Sequence, residues 1–224
     1  MNMAVDRGQK LPENYHRHLR NVGVLETYDL GYTWERVGST WQRRSVQKKV
    51  SPEILFIEAC YKFLKPGTGV MAIVLPNGIL GNPGEQMEAV RWWMLFHMEL
   101  LASVDLPADA FLPQISIQAS CVFLRRRHSS ELQLLDGEMP RQAPVFMAIA
   151  ETCGHGRRGE TRYVRGPDGE EVFTVRDVLE RWEQNGKVVE KVRAQRLREL
   201  ADDLPWVAVQ YRQHISADPL EGSS

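Results

Sequence analysis

The chain has 224 residues, 43% of them apolar, and 28 Lys and Arg against 29 Asp and Glu give a net charge of −1. That is enough to bury a core of ordinary domain size, and it leaves no global field to draw the protein onto nucleic acid. Three widely spaced cysteines, an N-terminus without an apolar core segment and the lack of any apolar run of about 20 residues argue against a disulfide framework, a secretory signal and a transmembrane span, and point to a cytoplasmic protein without membrane partners.

Residues 1–50 carry no sustained hydrophobic period and read as an irregular segment that packs through Tyr28, Tyr32, Trp34 and Trp41. His16 and His18, in this segment, read as solvent-facing rather than catalytic. SPEILFIEACYKFLKPG has helix punctuation at both ends, with Ser51 as N-cap, Pro52 in the first turn and Gly67 beyond the last. Ile54, Ile57, Tyr61 and Leu64 share one stripe of that helix. GVMAIVLPNG is a short continuous apolar run, predicted as a strand buried on both faces. NPGEQMEAVRWWMLFHM reads as a second helix, with Met87, Val90, Met94 and the Trp92–Trp93 pair as its core side. ELLASVDLP and SIQASCVFLRRR are two more strands, and the eight residues ADAFLPQI between them are too few for a crossover, so they should pair antiparallel. The succession of helices and strands predicts an α/β layer fold.

APVFMAIAETCGHGRRGETRYVRGPDGEE reads as a short ordered element followed by a Gly-rich hairpin turning at PDGE. TVRDVLERWEQNGKVVEKVRAQRLRELADDL is predicted helical and charged, with Gly186 as a break, and ADPLEGSS as a frayed end. Gly154 to Gly159 spell G-x-G-x-x-G, but a phosphate cradle needs a helix after it, and ETRYVRGPDG reads as strand and turn. The motif is therefore taken as a basic loop. Cys153 and His155 have no second ligand pair at zinc spacing, so no metal site is expected. Arg125, Arg126, Arg127, Arg157 and Arg158 are the basic spots that could touch a DNA backbone.

Several of these blocks resemble one family in order and spacing. PEILFIEACYKFLKPGTGVMAIVLPNGILGNPGEQMEAVRWWM, ELLASVDLPADAFLPQISIQASCVFLRRR and PVFMAIAETCGHGRRGETRYVRGPDG resemble the second half of an adenine-N6 DNA methyltransferase. The kind is the modification (M) subunit of type I restriction–modification systems and its type IIG relatives. LGYTWERVGSTW resembles the segment that leads into it, so the likeness spans about residues 25–185. The resemblance implies the C-terminal part of a class I S-adenosylmethionine-dependent methyltransferase, a Rossmann-like α/β sheet with an antiparallel terminal hairpin, plus a helical extension. Strands five, six and seven would be residues 70–76, 99–107 and 116–126. Residues 1–50 would follow the catalytic loop, 51–127 would form the C-terminal half of the methyltransferase domain, and 128–224 would be an extension of Gly-rich hairpin and charged helices.

The same resemblance places Pro76, Asn77 and Gly78 toward the DNA cleft and makes Phe111 the aromatic that stacks on the extruded adenine. The family's F-x-G-x-G loop for S-adenosylmethionine and its Asn/Asp-Pro-Pro-Phe/Tyr loop for the target amine have no counterpart in the sequence. The nearest string, Asn82-Pro83-Gly84, lacks the second proline and the aromatic. The expectation is a fragment or split subunit of a restriction–modification methyltransferase that holds no catalytic residue and binds no S-adenosylmethionine alone. Its expected partners are DNA, a complementing N-terminal half, and specificity and restriction subunits. The alternatives are a non-enzymatic DNA- or partner-binding module, or a decayed remnant. With no fourth strand to pair with, Val70 to Leu75 should present a bare, association-prone edge.

Overall fold

Helix α1 (Pro52–Phe63) starts and stops where its punctuation puts it. Ser51 holds the extended N-cap conformation, yet its hydroxyl contacts the Glu53 carboxylate instead of a backbone N–H. In this computed structural model residues 23–133, 139–184 and 186–217 are described. His16 and His18 lie outside them. The chain divides into two units, one of residues 1–104 and 119–147, the other of 105–118 and 148–224.

In the first unit, two single 3-10 turns (Leu25–Thr27 and Asp29–Gly31) lead into strands β1 (Tyr32–Val37) and β2 (Thr40–Val46), an antiparallel hairpin. The irregular reading of residues 1–50 is thus corrected over 32–46. The hairpin was hard to see because it buries only one wall. Trp34 packs on the core and on Trp92, 5.4 Å away, while Arg36, Gln42, Arg43 and Arg44 stay exposed. Beyond α1 come β3 (Val70–Pro76), the short helix α2 (Asn77–Gly81), α3 (Glu85–His97), β4 (Met98–Asp105), β5 (Ala119–Arg126), the short helix α4 (Ser129–Gln133) and β6 (Phe146–Ile149).

The sheet order is β3-β5-β4-β6, with β3 and β5 antiparallel from Val70↔Arg125 to Pro76↔Ala119. The N–H of Arg127 donates to His97 O and the Arg125 side chain meets Glu99. Stepping back along β5 therefore steps forward along β4, which makes that pair antiparallel as well. The eight-residue link predicted this. The core lies on one face of the sheet: Ile73, Leu75, Val122, Leu124 and Met98 pack against Ile54 and Ile57 of α1 and Val90, Trp93 and Met94 of α3. Trp93, 1% exposed, is core as expected.

β3 itself is not buried on both faces. Ile73 and Leu75 are buried, but Val70 and Val74 are 51% and 47% exposed. Both helices of this unit long enough to cover a sheet pack on the Ile73 side, so the opposite side of β3 has no layer over it. β3 also has β5 as its one neighbour among the described residues, which leaves its outer edge unpaired, as the sequence led us to expect.

The second unit corrects the C-terminal reading. The stretch predicted as charged helix is a two-stranded antiparallel sheet of β7 (Phe173–Gln184) and β8 (Lys187–Arg198), paired from Phe173↔Arg198 to Gln184↔Lys187. The signal for it was present: Val175, Val178, Val188, Val189 and Val192 favour strands, and an Asn-Gly dipeptide joins the two runs. Gly186 has φ +72, which a side chain would resist and a helix could not use. The helical extension is instead α5 (Leu204–Ala217), opening just after Asp203. No helix among the described residues is long and apolar enough to cross a membrane.

Candidate functional site

The end of β3 turns at Pro76 directly into α2, so Asn77 and Gly78 sit at the strand's carboxyl end, where open α/β sheets build their sites. Asn77 is held there. Its Oδ1 accepts from the hydroxyl of Ser120, 2.8 Å away at the start of β5. Arg91 of α3 closes the far end of α2 by donating to the carbonyls of Ile79 and Asn82, both at 3.0 Å. Pro76, Asn77 and Gly78 are half-buried and fixed from two sides.

The arginine triplet has other duties. Arg125 donates to Glu99 at 2.8 Å and to Gly67 O at 2.7 Å. Arg126 donates to Leu64 O at 2.8 Å and lies over the Tyr61 ring, 4.3 Å from its centroid. The Arg127 side chain is 5% exposed, and burial pulls its pKa below the usual guanidinium range. These three side chains staple the end of β5 to β4 and to the end of α1. They are not the phosphate contacts the sequence suggested, because their donors are already spent inside the unit.

In the second unit Phe111 lies on the 105–118 loop, half-buried, with its carbonyl accepting from Ile115 N at 2.9 Å. Turns closed by Ala110 N to Pro107 O and Leu112 N to Asp109 O shape the segment before it. Asp109, two residues ahead of Phe111 and 19% exposed, is the loop's anchor. It lies 3.6 Å from Arg157 and 3.7 Å from Arg162.

That anchoring answers what GHGRRG is for. Gly156 N bonds Glu160 O and Gly159 N bonds Gly156 O, both at 2.9 Å, while His155 and Thr161 bridge as strands do. Gly154 and Gly159 have φ +79 and +81, which is why glycine is needed at both. The turn is a hairpin tip with no helix after it, so it has no helix N-terminus to offer a phosphate. Glu160, accepting its own and the Arg158 N–H, is held below the ordinary carboxylate range. Arg157, 81% exposed, and Arg158 keep their head groups at the surface. Sequence reasoning singled out Phe111 and Arg157 separately. The Asp109 bridge between their loops left no mark in the sequence.

Cys153 reaches only the His155 carbonyl, with sulfur and oxygen 3.9 Å apart. Among the described residues no three His, Cys, Asp or Glu side chains gather as metal ligands would.

Compared with known proteins, residues 31–192 match the family model for N-6 DNA methylases. None of the curated proteins compared matches. Among solved structures, the type I restriction enzyme EcoKI M protein is 20% identical, over 43% of this chain and 20% of its own, with TM-score 0.32. A type I modification–restriction complex is 24% identical over 43% of this chain and 19% of that one, with TM-score 0.32. The type IIG restriction endonuclease BpuSI is 16% identical over 56% of this chain and 13% of that one, with TM-score 0.34. The chain thus spans about a fifth or less of the length of each of these structures.

Proposed function

This chain belongs to the N-6 DNA methylase family, and from that premise we propose that it supplies the far half of an adenine-modifying domain in a restriction–modification system. A second polypeptide segment supplies the S-adenosylmethionine-binding and target-amine loops. The observation that carries the proposal is the half-finished sheet: β3 has one strand neighbour, and its outer valines are about half exposed. An apolar edge with one open side recruits a partner or aggregates.

The exocyclic amine of adenine is a weak nucleophile because its lone pair is delocalised into the ring. The base has to be drawn out of the helix and held flat against an aromatic while carbonyl acceptors take the amine protons. Phe111 has the right chemistry for the stack, and Asp109 with Arg157 and Arg162 fixes the loop that carries it. Pro76, Asn77 and Gly78 line the cleft floor, and the exposed Arg157 and Arg158 reach the phosphates. No described residue forms the Gly-rich loop that the methyl donor requires, so no step through the donor is assigned to this chain. Partners are DNA, the complementing half, and specificity and restriction subunits.

The test is methyl transfer from radiolabelled S-adenosylmethionine to duplex DNA. Incorporation is expected only when the chain is mixed with a polypeptide carrying the two loops, and turnover by the chain unaided would refute the proposal. In the complemented enzyme, Phe111→Ala should cost about tenfold or more in turnover, given ~1–3 kcal/mol for a base–aromatic stack. The exposure of Arg157 also supports a second reading, a non-catalytic DNA-binding module. Salt-sensitive duplex binding by the chain alone, with no methylation in any mixture, would favour it.

A further inference from the structure

The β7–β8 ribbon has a built-in division of labour that the proposed activity does not use. Opposed residues of an antiparallel pair share a face, and successive residues alternate, so the register assigns every side chain to one of two faces. One face holds Arg176, Lys187, Lys191 and Arg193 against a single acid, Glu180, for a net +3. The other holds Phe173, Val175, Leu179, Val188, Val192 and Ala194, with Arg181, Arg196 and Arg198 balanced by Asp177, Glu183 and Glu190.

This second face is neutral, apolar and uncovered. Val175, Val188 and Val192 are 71%, 72% and 61% exposed, Leu179 48% and Phe173 41%. Each strand has 12 residues, so the stripe runs about 40 Å. A two-stranded hairpin is marginal in water by itself, and an apolar surface this long marks an interface.

We propose that the same face of a second copy covers it, the two ribbons packed antiparallel about a two-fold axis. The distribution of charge selects this occupant and this arrangement. The half of the face near the base carries Arg196, Arg198 and Asp177, net +1; the half near the tip carries Arg181, Glu183 and Glu190, net −1. Parallel stacking would set like against like at both ends. Antiparallel stacking sets base on tip twice, closes the assembly at two copies and turns Arg196 toward the other copy's Glu190. The apolar rungs of Leu179 and Val192 then meet near the axis. A patch about 40 Å by 10 Å per copy lies at the small end of specific interfaces, so the dimer is weak and reversible.

Sedimentation of the full chain, over a concentration series reaching the high-micromolar range, tests this independently of any activity. The parent should pass from monomer to dimer. Arg196→Glu and Glu190→Arg should each weaken the dimer about tenfold or more, and an equimolar mixture of the two variants should restore it, because each then meets its opposite charge. Val175→Asp with Val192→Asp should remain monomeric, with circular dichroism confirming that the strands persist. A parent that stays monomeric overturns the proposal. So does self-association unaffected by these variants, which would locate it at the β3 edge, or a mixture that fails to recover.

Discussion

Replacing Glu58 by leucine should unfold the joint between the N-terminal hairpin and the helical layer. Glu58 is a carboxylate only 2% exposed on the inner side of α1. It accepts the N–H of Asp29 at 3.0 Å and of Leu30 at 2.8 Å, and Lys62 lies 2.9 Å away, one helical turn on. Leu30 is fully buried, so its N–H finds no water when the acceptor goes. A hydrogen bond to a charged group contributes about 1.5–3 kcal/mol, and a buried donor left unpaired costs about 1–3. Losing two such bonds should therefore cost about 3–5 kcal/mol, offset in part by the added apolar contact of leucine. That is a large share of the ~5–15 kcal/mol that holds a typical domain together. Glu58→Gln retains one carbonyl acceptor and should lose about half as much. Urea unfolding followed by tryptophan fluorescence reads both, since Trp34 donates to Asp29 O at 3.0 Å and reports from the same joint. A Glu58→Leu protein within about 1 kcal/mol of the parent would refute the reasoning, because the two backbone N–H groups would then have found other partners.

Burial among Trp93, Tyr61 and Phe96 pushes the His97 pKa down to about 4, with Asp29 and Arg126 acting in opposite directions. The unfolded imidazole takes its proton near 6.5, so stability from this site is whole above that pH and is lost as pH falls through about 4. The full effect is about 3 kcal/mol, and urea midpoints at neutral and acid pH should lose that part of their difference in His97→Phe. An unchanged difference would sink the assignment. Gly31→Ala drives a methyl into the Leu25 carbonyl and should cost about 1–3 kcal/mol through backbone displacement; a melting temperature equal to the parent's would count against it. Val74→Lys places a charge on the open side of β3 and should lower light scattering by the isolated chain. Scattering that does not change would mean that association does not run through this strand.

The sequence alone settled the features whose cause is local. α1 and α3 follow from apolar spacing and punctuation, the β4–β5 pairing from a link too short for a crossover, and the unpaired edge of β3 from the order of strands. It also showed that GHGRRG has no helix behind it. The β7–β8 ribbon was legible too, in its valines and its Asn-Gly turn, but abundant Glu, Arg and Lys outweighed them in the reading. Only the tertiary structure could decide what depends on partners far along the chain. Glu58 looks like a flaw in an apolar stripe until backbone groups 28 and 29 residues away arrive to bond it. Arg125, Arg126 and Arg127 read as a free basic run until Glu99, Tyr61 and the carbonyls of Leu64 and Gly67 take up their donors. Asp109 is an ordinary surface acid until Arg157 and Arg162 come within 4 Å of it. A polar side chain's role is set by whatever meets it after the core has formed, and sequence spacing carries no record of that meeting.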